Sequence, residues 1–317
     1  MNQQLTSHPM FCQPSAEFLG LTPIAGGDDA IKFIEKCGRV CYKSEDRITP
    51  ESATKFFNGL ISKEHYSVIE HSNIVIRSMM YVPSLERRIR LALGDHCRFF
   101  TISWKNDFLF ISANLRAWVE AFADGSSALK DLPLVKELRS HVASLFPTVV
   151  APADNLIRPE FCVILDPNEV PAAHRRYTFR FICDRGISHE LVRHRPASFS
   201  QESTRYVNYK NRPIQFIIPC YPVDLENHWK EHMFDCANLY NKLVGPGYEW
   251  TPSQARSILP NALKTEVIMT TNYSHLLFLH QLRSSPKAHC QMIQLMNLIN
   301  PILEGIKNDI KFNYRGN

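Results

Sequence analysis

Apolar residues recur at helical spacing over much of the chain. Ile31, Ile34 and Val40 follow one another at intervals that place them on one face of a helix over residues 28–44. Residues 50–64 begin with Pro-Glu-Ser and continue as an amphipathic helix. The same spacing predicts helices over residues 83–95, 113–123 and 132–146. It also predicts helical stretches over 224–243, 253–283 and 286–311, interrupted at Pro246, Pro252, Pro260 and Pro286.

Fewer segments have the alternation or the short apolar runs of strands. These segments are residues 74–79, 107–112, 160–165 and 214–219, and the first 20 or so residues are expected to form an irregular arm. The strands do not alternate regularly with the helices, which favours an α+β fold over a doubly wound sheet. Residues 124–160 are rich in turn formers, but apolar periodicity resumes on both sides, so we expect one domain with an insertion.

The composition narrows the classes of protein that fit. The chain has 317 residues, 44% hydrophobic and 21% charged, which is enough for a sizeable core. Long apolar spans and a secretory signal are missing, so we expect a cytoplasmic protein without membrane contact. Nine cysteines contain no CxxC pair, which predicts free buried thiols and no metal site. A net charge of +5 suits a nucleotide ligand and is too small to require nucleic acid.

The densest polar segment is RHRPASFSQESTRY, residues 193–206. It opens with Arg193, His194 and Arg195, continues with hydroxyl and amide side chains, and adds Arg205. Guanidinium groups bind phosphate oxygens in pairs, and small hydroxyl residues let backbone N–H groups approach the same anion. The segment suits more than one phosphate, although a solvated basic loop fits the composition alone about as well.

A second polar cluster is HYSVIEH, residues 65–71. It contains His65, Ser67, Glu70 and His71. Two histidines separated by five residues are poorly spaced for zinc without further ligands. From these residues alone, a structural cluster is favoured over a site.

A third cluster interrupts the apolar stretch predicted as helix over residues 253–283. It contains Arg256 and Arg283, with Asn261 and Asn272 between them. An unpaired buried charge is costly, and Glu266 is the only carboxylate between the two arginines. We therefore favour an anionic ligand over an internal carboxylate as the partner of these arginines.

Other catalytic motifs are missing from the sequence. It has no GxGxxG, no GxxxxGK[ST] and no GxSxG. Cys41 and Cys290 have no base beside them in sequence, so a cysteine nucleophile is unsupported.

RHRPASFSQESTRY closely resembles the signature of the flavin-dependent thymidylate synthases. That signature is Arg-His-Arg, seven residues and a Ser, usually completed by x-Arg-Tyr; here it runs from Arg193 through Ser203 to Tyr206. HYSVIEH resembles the family's upstream His-x-[Ser/Thr]-x-x-Glu-His element. RVCYKS, ARSILPNALKTEV and LHQLR also resemble family segments, whereas residues 83–160 are longer than in compact members.

The resemblance implies a helix-rich α+β single domain over residues 1–317, built around a small, mostly antiparallel sheet, with the insertion at about 83–160. It implies a homotetramer with FAD between subunits. It also implies reductive methylation of dUMP to dTMP, with NADPH as reductant, methylene-tetrahydrofolate as carbon donor and no protein nucleophile.

The resemblance further implies roles for individual residues. Expected FAD contacts are Ser67, Glu70, Arg193, His194, Arg195, Gln201 and Asn272. Expected dUMP contacts are Glu190, Arg193, Gln201, Glu202, Ser203, Thr204, Arg205, Arg256 and Arg283. The expected catalytic residues are Arg283, which stabilises charge at uracil N3, together with Ser203 and with His65 beside the flavin.

Two alternatives stay open. A relative with the same scaffold could hydroxymethylate a pyrimidine nucleotide, which the mass of the product distinguishes. A nucleic-acid-binding module using the basic segment predicts a colourless protein and strongly salt-dependent DNA binding.

Overall fold

The computed structural model describes residues 10–22, 27–78, 84–123, 139–140, 142–143, 146, 161–164, 166–221 and 226–315. Its α-helices are α1 (Gly27–Tyr42), α2 (Ser52–Ser62), α3 (Tyr66–Ile69), α4 (Leu85–Leu93), α5 (Leu115–Ala123), α6 (Arg185–Leu191), α7 (Glu226–Val244), α8 (Pro252–Ala255), α9 (Tyr273–Arg283) and α10 (Cys290–Arg315). Its strands are β1 (Met10–Cys12), β2 (Ser15–Thr22), β3 (Asn73–Ser78), β4 (Thr101–Lys105), β5 (Phe108–Asn114), β6 (Phe161–Ile164), β7 (Arg176–Asp184), β8 (Ala197–Gln201), β9 (Gln215–Ile217) and β10 (Lys264–Thr271).

The sheet that carries the 193–206 segment has the order β2-β7-β10-β8 and is antiparallel throughout. All eight residues of β10 are buried. On one face Val267 and Met269 pack with apolar residues of α9 and α10, and on the other Ile268 packs with Cys37 and Val40 of α1. Helices thus cover both faces of the sheet, which explains the wholly buried central strand.

A second antiparallel sheet has the order β4-β5-β3-β6, and its strands β4 and β5 come from the insertion. Its inner residues Ile76 and Ile111 pack with Ile34 of α1, Phe57 of α2 and Trp118 of α5. The insertion therefore shares a core with the N-terminal helices. A smaller parallel pair, β1 with β9, belongs to a third cluster together with α7.

Most predicted elements are confirmed, including the helices at 28–44, 50–64, 83–95, 113–123 and 224–243 and the α+β class. The helix predicted for 132–146 lies largely outside the described residues, as does most of 124–160. In place of one small sheet, the described chain has two four-stranded sheets and the β1–β9 pair.

Two predictions were wrong. Residues 10–22 of the N-terminal arm are not irregular, because β2 pairs along the edge of the first sheet with a register shift near Gly20. The stretch 253–283 is not one helix, because residues 264–271 form β10. A strand that is buried on both faces has no alternation of apolar and polar residues and presents a continuous apolar run. The periodicity of such a run does not distinguish a strand from a helix.

The expectation of free thiols is wrong for one pair. Cys220 and Cys290 form a disulfide with their Cα atoms 6.0 Å apart, and the other seven cysteines are free. Their separation of 70 residues hides the pairing from sequence spacing. Among the described helices, none combines the length and the apolar character that a bilayer crossing requires.

Candidate functional site

The segment 193–206 forms a turn followed by β8, and the first sheet holds both in place. Phe199 lies opposite Met269 in the antiparallel pairing of β8 with β10. Thr271 Oγ1 donates a hydrogen bond of 2.8 Å to the carbonyl of Pro196, which fixes the turn before β8. The polar segment is therefore attached to the most buried strand of the sheet.

Helix α6, which leads into the turn, has a well-defined start. Asp184 is its N-cap and accepts from the amide of Ile187 at 2.7 Å, satisfying a free helix donor. Gln291 of α10 donates to the other carboxylate oxygen of Asp184 at 2.7 Å. The start of α10 thereby sets the position of α6.

Arg283 contacts two of the residues predicted to share its site. At the end of α9, its Nε donates to His194 Nε2 at 2.8 Å and its Nη1 donates to Glu190 Oε2 at 2.8 Å. Burial lowers the pKa of His194 to about 4, with Arg283 and His275 adding to the shift, so the imidazole is neutral at pH 7 and accepts this bond. Two of the five guanidinium N–H groups are engaged by described residues.

The end of the polar segment forms a turn at Ser203–Arg205. The amide of Ser203 donates to the carbonyl of Cys41 at 3.0 Å, and the amide of Arg205 donates to Ser203 Oγ at 3.3 Å. Arg256 Nη1 donates to Thr204 Oγ1 at 3.4 Å. The first and third sequence clusters therefore meet here, in an arrangement of hydroxyls and guanidinium groups that suits a phosphate.

Arg185 belongs to the same region and was missed in the sequence. Its guanidinium donates to the carbonyl of Glu202 at 3.4 Å. Burial lowers the pKa of Arg185, and the nearby Arg256 adds to this effect. The sequence signal that could have identified Arg185 is a cationic residue directly after the buried strand β7.

Beneath the turn lies a buried network of charges. Lys264 Nζ contacts the carboxylates of Glu202, at 3.2 Å, and of Glu266, while Tyr209 donates to Glu202 at 2.9 Å. Burial raises the pKa of Glu266, but Lys264 and Lys43 outweigh it and lower the value to about 2. The Glu202 carboxylate points into this network, which supports an anchoring role rather than the predicted contact with substrate.

Two tyrosines connect the second sequence cluster, residues 65–71, to the 193–206 segment. His65 Nδ1 is 2.9 Å from Tyr42 Oη, and the Tyr42 ring centre lies 5.4 Å from that of Tyr206. His65 is thus connected to the end of the polar segment. Ser67, predicted to contact FAD, is exposed on α3.

His71 has a structural role. Its ring nitrogens bond to Thr270 Oγ1 at 2.7 Å and to Ser200 Oγ at 2.9 Å, joining the turn between α3 and β3 to β10 and β8. Burial lowers the pKa of His71 to about 3, so it stays neutral at physiological pH.

A cavity of about 520 Å³ lies between the first sheet and the insertion. The predicted residues that line it are Glu70, Arg195 and Asn272. Its other lining residues are Arg98, Phe99, Phe100, Thr101, Asn114, Arg176, Pro196, Ala197, Ser198, Thr270 and Thr271. This volume is in the range of small-molecule sites.

The remaining predicted residues differ in their surroundings. Gln201 Nε2 donates to Ser188 Oγ at 2.8 Å and to Thr265 Oγ1 at 3.3 Å, which fixes it at the end of β8. Asn272 is the N-cap of α9. Arg193 is exposed beside the turn.

His275 is a second residue that was missed. It is 7% exposed, its ring centre lies 6.1 Å from that of His194, and its Nε2 has no hydrogen-bond partner in the described part of the chain. Burial lowers its pKa. A buried ring nitrogen beside the Arg283 cluster can accept from or donate to a bound ligand.

Part of the chain is similar to one family model and to flavin-dependent thymidylate synthases. Residues 164–306 match the family model described as thymidylate synthase complementing protein. A flavin-dependent thymidylate synthase of Geobacter sulfurreducens is 32% identical over 145 residues, which are 43% of this chain and 61% of that protein. The corresponding enzyme of Pyrococcus furiosus is 34% identical over 125 residues, 38% of this chain and 50% of that protein.

These relatives match only part of the chain, which spans between half and about three fifths of their own length. A crystal structure of the Helicobacter pylori flavin-dependent thymidylate synthase, complexed with FAD and dUMP, has a TM-score of 0.36 and 21% identity to this chain. It covers 59% of this chain and 86% of the Helicobacter chain.

Proposed function

We propose that the chain belongs to the family described as thymidylate synthase complementing protein, whose model matches residues 164–306, and that it is a flavin-dependent thymidylate synthase that methylates dUMP to dTMP. The observation that carries the proposal is the meeting of Arg283, Glu190 and His194 in one cluster. These residues come from two separate sequence segments, each of which resembles the same family.

The described residues fit both a flavin dinucleotide and a nucleotide monophosphate. The cavity beside Arg195 and Asn272 has room for a large ligand, and His275 has a buried ring nitrogen in need of a partner. FAD supplies, when bound, the transfer of electrons from NADPH and of a one-carbon unit from methylene-tetrahydrofolate. We assign FAD binding to Glu70, Arg195, Asn272 and, from its place beside the turn, Arg193.

The part played by Arg283 follows from its charge and its fork of donors. A planar guanidinium that keeps its charge at all physiological pH values stabilises negative charge on the uracil ring, which makes C5 more nucleophilic. Glu190 and His194 hold the fork in place through two hydrogen bonds. Because the His194 imidazole is neutral, it adds no cation that would repel Arg283.

The Ser203–Arg205 turn is assigned to the phosphate of dUMP. A phosphate dianion accepts from the Ser203 and Thr204 hydroxyls and from the Arg205 and Arg256 guanidinium groups. The buried network below the turn keeps its backbone fixed, so little ordering is needed on binding. No protein nucleophile takes part in this scheme.

We further propose the homotetramer. Leu277, Phe278 and Leu282 are exposed on α9, and Leu298 is exposed on α10. An apolar surface at the end of the helix that carries Arg283 is suited to contact with another subunit. Light scattering on the purified protein tests this, and a monomeric mass would contradict it.

The activity test is incubation of the purified protein with dUMP, FAD, NADPH and methylene-tetrahydrofolate, followed by mass spectrometry of the nucleotide. We expect a yellow protein and a product heavier than dUMP by one methylene. A hydroxymethyl product supports the alternative paralogue. A colourless protein that binds DNA with steep salt dependence supports the nucleic-acid-binding alternative.

A further inference from the structure

The cavity beside Arg195 holds an excess of cations. Among the described residues, Arg176 donates to two backbone carbonyls, at 3.0 and 3.1 Å, and to Thr101 Oγ1 at 3.1 Å. The Arg98 guanidinium lies 4.8 Å from the centre of the Phe99 ring. In the described part of the chain, none of these three arginines has a carboxylate partner.

The cavity offers little negative charge in return. Among the described residues that line the cavity, Glu70 is the one carboxylate, and Arg116 Nη1 already donates to it at 2.9 Å. The N-terminus of α9 also opens here through Asn272, and helix N-termini favour anions. Burial lowers the pKa of Arg176 to about 10, which leaves it charged at pH 7 in need of a counter-ion.

The position of the cavity narrows the choice of anion. Arg195 lines the cavity, while its neighbour His194 bonds to Arg283, where we place the uracil ring. A ligand in the cavity therefore lies next to the pyrimidine. The group that exchanges carbon and electrons with uracil must have this position.

From this geometry, and on the basis of the proposed function, we propose that Arg98 and Arg176 bind the diphosphate of FAD. Guanidinium groups are the preferred partners of phosphate oxygens in proteins, and the two supply a pair of them to adjacent phosphates. Arg98 and its neighbour Thr101 belong to the 83–160 insertion. The insertion thus acquires a function, which is to complete the cofactor site from one side.

The test compares the affinities of flavins with and without the diphosphate. Arg98→Gln, Arg176→Gln and Arg176→Lys are titrated with FAD and with riboflavin by flavin fluorescence. Each Gln variant is expected to bind FAD about 10- to 100-fold more weakly, since a hydrogen bond to a charged group is lost, while riboflavin affinity stays within about twofold. Arg176→Lys, which keeps the charge, should lose less.

Controls keep the result specific. Arg88→Gln removes an exposed arginine of α4 that does not line the cavity and should leave both affinities unchanged. Thermal melts establish that each variant is folded. Arg98 is exposed, so its variant remains informative even if the half-buried Arg176 does not tolerate substitution.

Three results would overturn the assignment. The first is an unchanged preference for FAD over riboflavin in both Gln variants, and the second is an equal loss of both flavins. The third is an increased KM for NADPH at unchanged FAD affinity, which would mean that the two arginines bind the diphosphate of NADPH and not that of FAD. A wild-type protein that binds no flavin would contradict the proposed function itself. If the wild type makes dTMP but both Gln variants still prefer FAD to riboflavin as strongly as the wild type does, only the present inference is overturned.

Discussion

The buried carboxylate of Glu266 is expected to contribute strongly to stability, in a way that depends on pH. Its side chain is 4% exposed and contacts Lys264, Lys43 at 2.6 Å and Arg180 at 2.5 Å. Burial raises the pKa of this carboxyl, but Lys264 and Lys43 outweigh burial and lower the pKa from 4.5 to about 2. At about 1.4 kcal/mol for each pKa unit, the carboxylate contributes about 3 kcal/mol to the free energy of unfolding at pH 7.

The sign follows from the lowered folded-state pKa. The contribution is complete above about pH 4.5 and is lost as the pH falls towards 2. At pH 3.5, one unit below the unfolded value, about 1.4 kcal/mol of it should be gone. Glu266→Gln removes the charge and leaves its buried cations uncompensated, so we expect a cost of about 3–5 kcal/mol at pH 7.

Urea unfolding at pH 7, 5, 4 and 3.5 measures this effect. The difference in free energy of unfolding between wild type and Glu266→Gln should be constant from pH 7 to 5 and then shrink. Glu304→Gln is the matched control, since Glu304 pairs with Lys307 at 3.2 Å on an exposed face, and should cost less than about 1 kcal/mol. Equal costs for the two substitutions, or a pH-independent difference, would refute the reasoning.

Three further outcomes are expected. Arg283→Lys keeps the charge but loses the two-pronged contact, so kcat/KM for dUMP should fall about 100-fold in steady-state assays; an unchanged value would remove Arg283 from the site. Asp184→Ala removes the N-cap of α6 and should lower the free energy of unfolding, measured with urea, by about 1–2 kcal/mol. An unchanged free energy of unfolding would mean that water replaces the carboxylate. Cys290→Ser should lower the free energy of unfolding by about 2–4 kcal/mol. Alkylation of the denatured wild type without reductant should modify the seven free cysteines, and nine modified cysteines would contradict the disulfide.

The sequence predicts those elements in which only one face is buried, because their apolar residues then recur at a clear period. The helices α1 and α2 are of this kind. Strand β10 is not, because burial on both faces gives it a continuous apolar run between segments that do form helices. Strand β2 was missed because it lies at a sheet edge, where its exposure alternates only in part.

The site was predictable where its residues are close in sequence or carry unbalanced charge. The lack of carboxylates between Arg256 and Arg283 led to the prediction of an anionic ligand rather than an internal carboxylate. For Arg283 the structure shows an internal carboxylate, Glu190, and a ligand for the two arginines stays a prediction. Arg176 and Arg185 each stand alone at the boundary of a strand or helix. Only the fold shows that neither forms an ion pair with a described carboxylate. The inward direction of the Glu202 carboxylate depends on Lys264, a residue 62 positions away.

A crystal structure of the protein bound to FAD and dUMP tests the central claim most directly. We expect the phosphate within about 3 Å of the Ser203–Arg205 turn and Arg256, and the uracil ring edge-on to Arg283. A dUMP molecule bound elsewhere, with Arg283 still held by Glu190 and His194 and facing solvent, would contradict it.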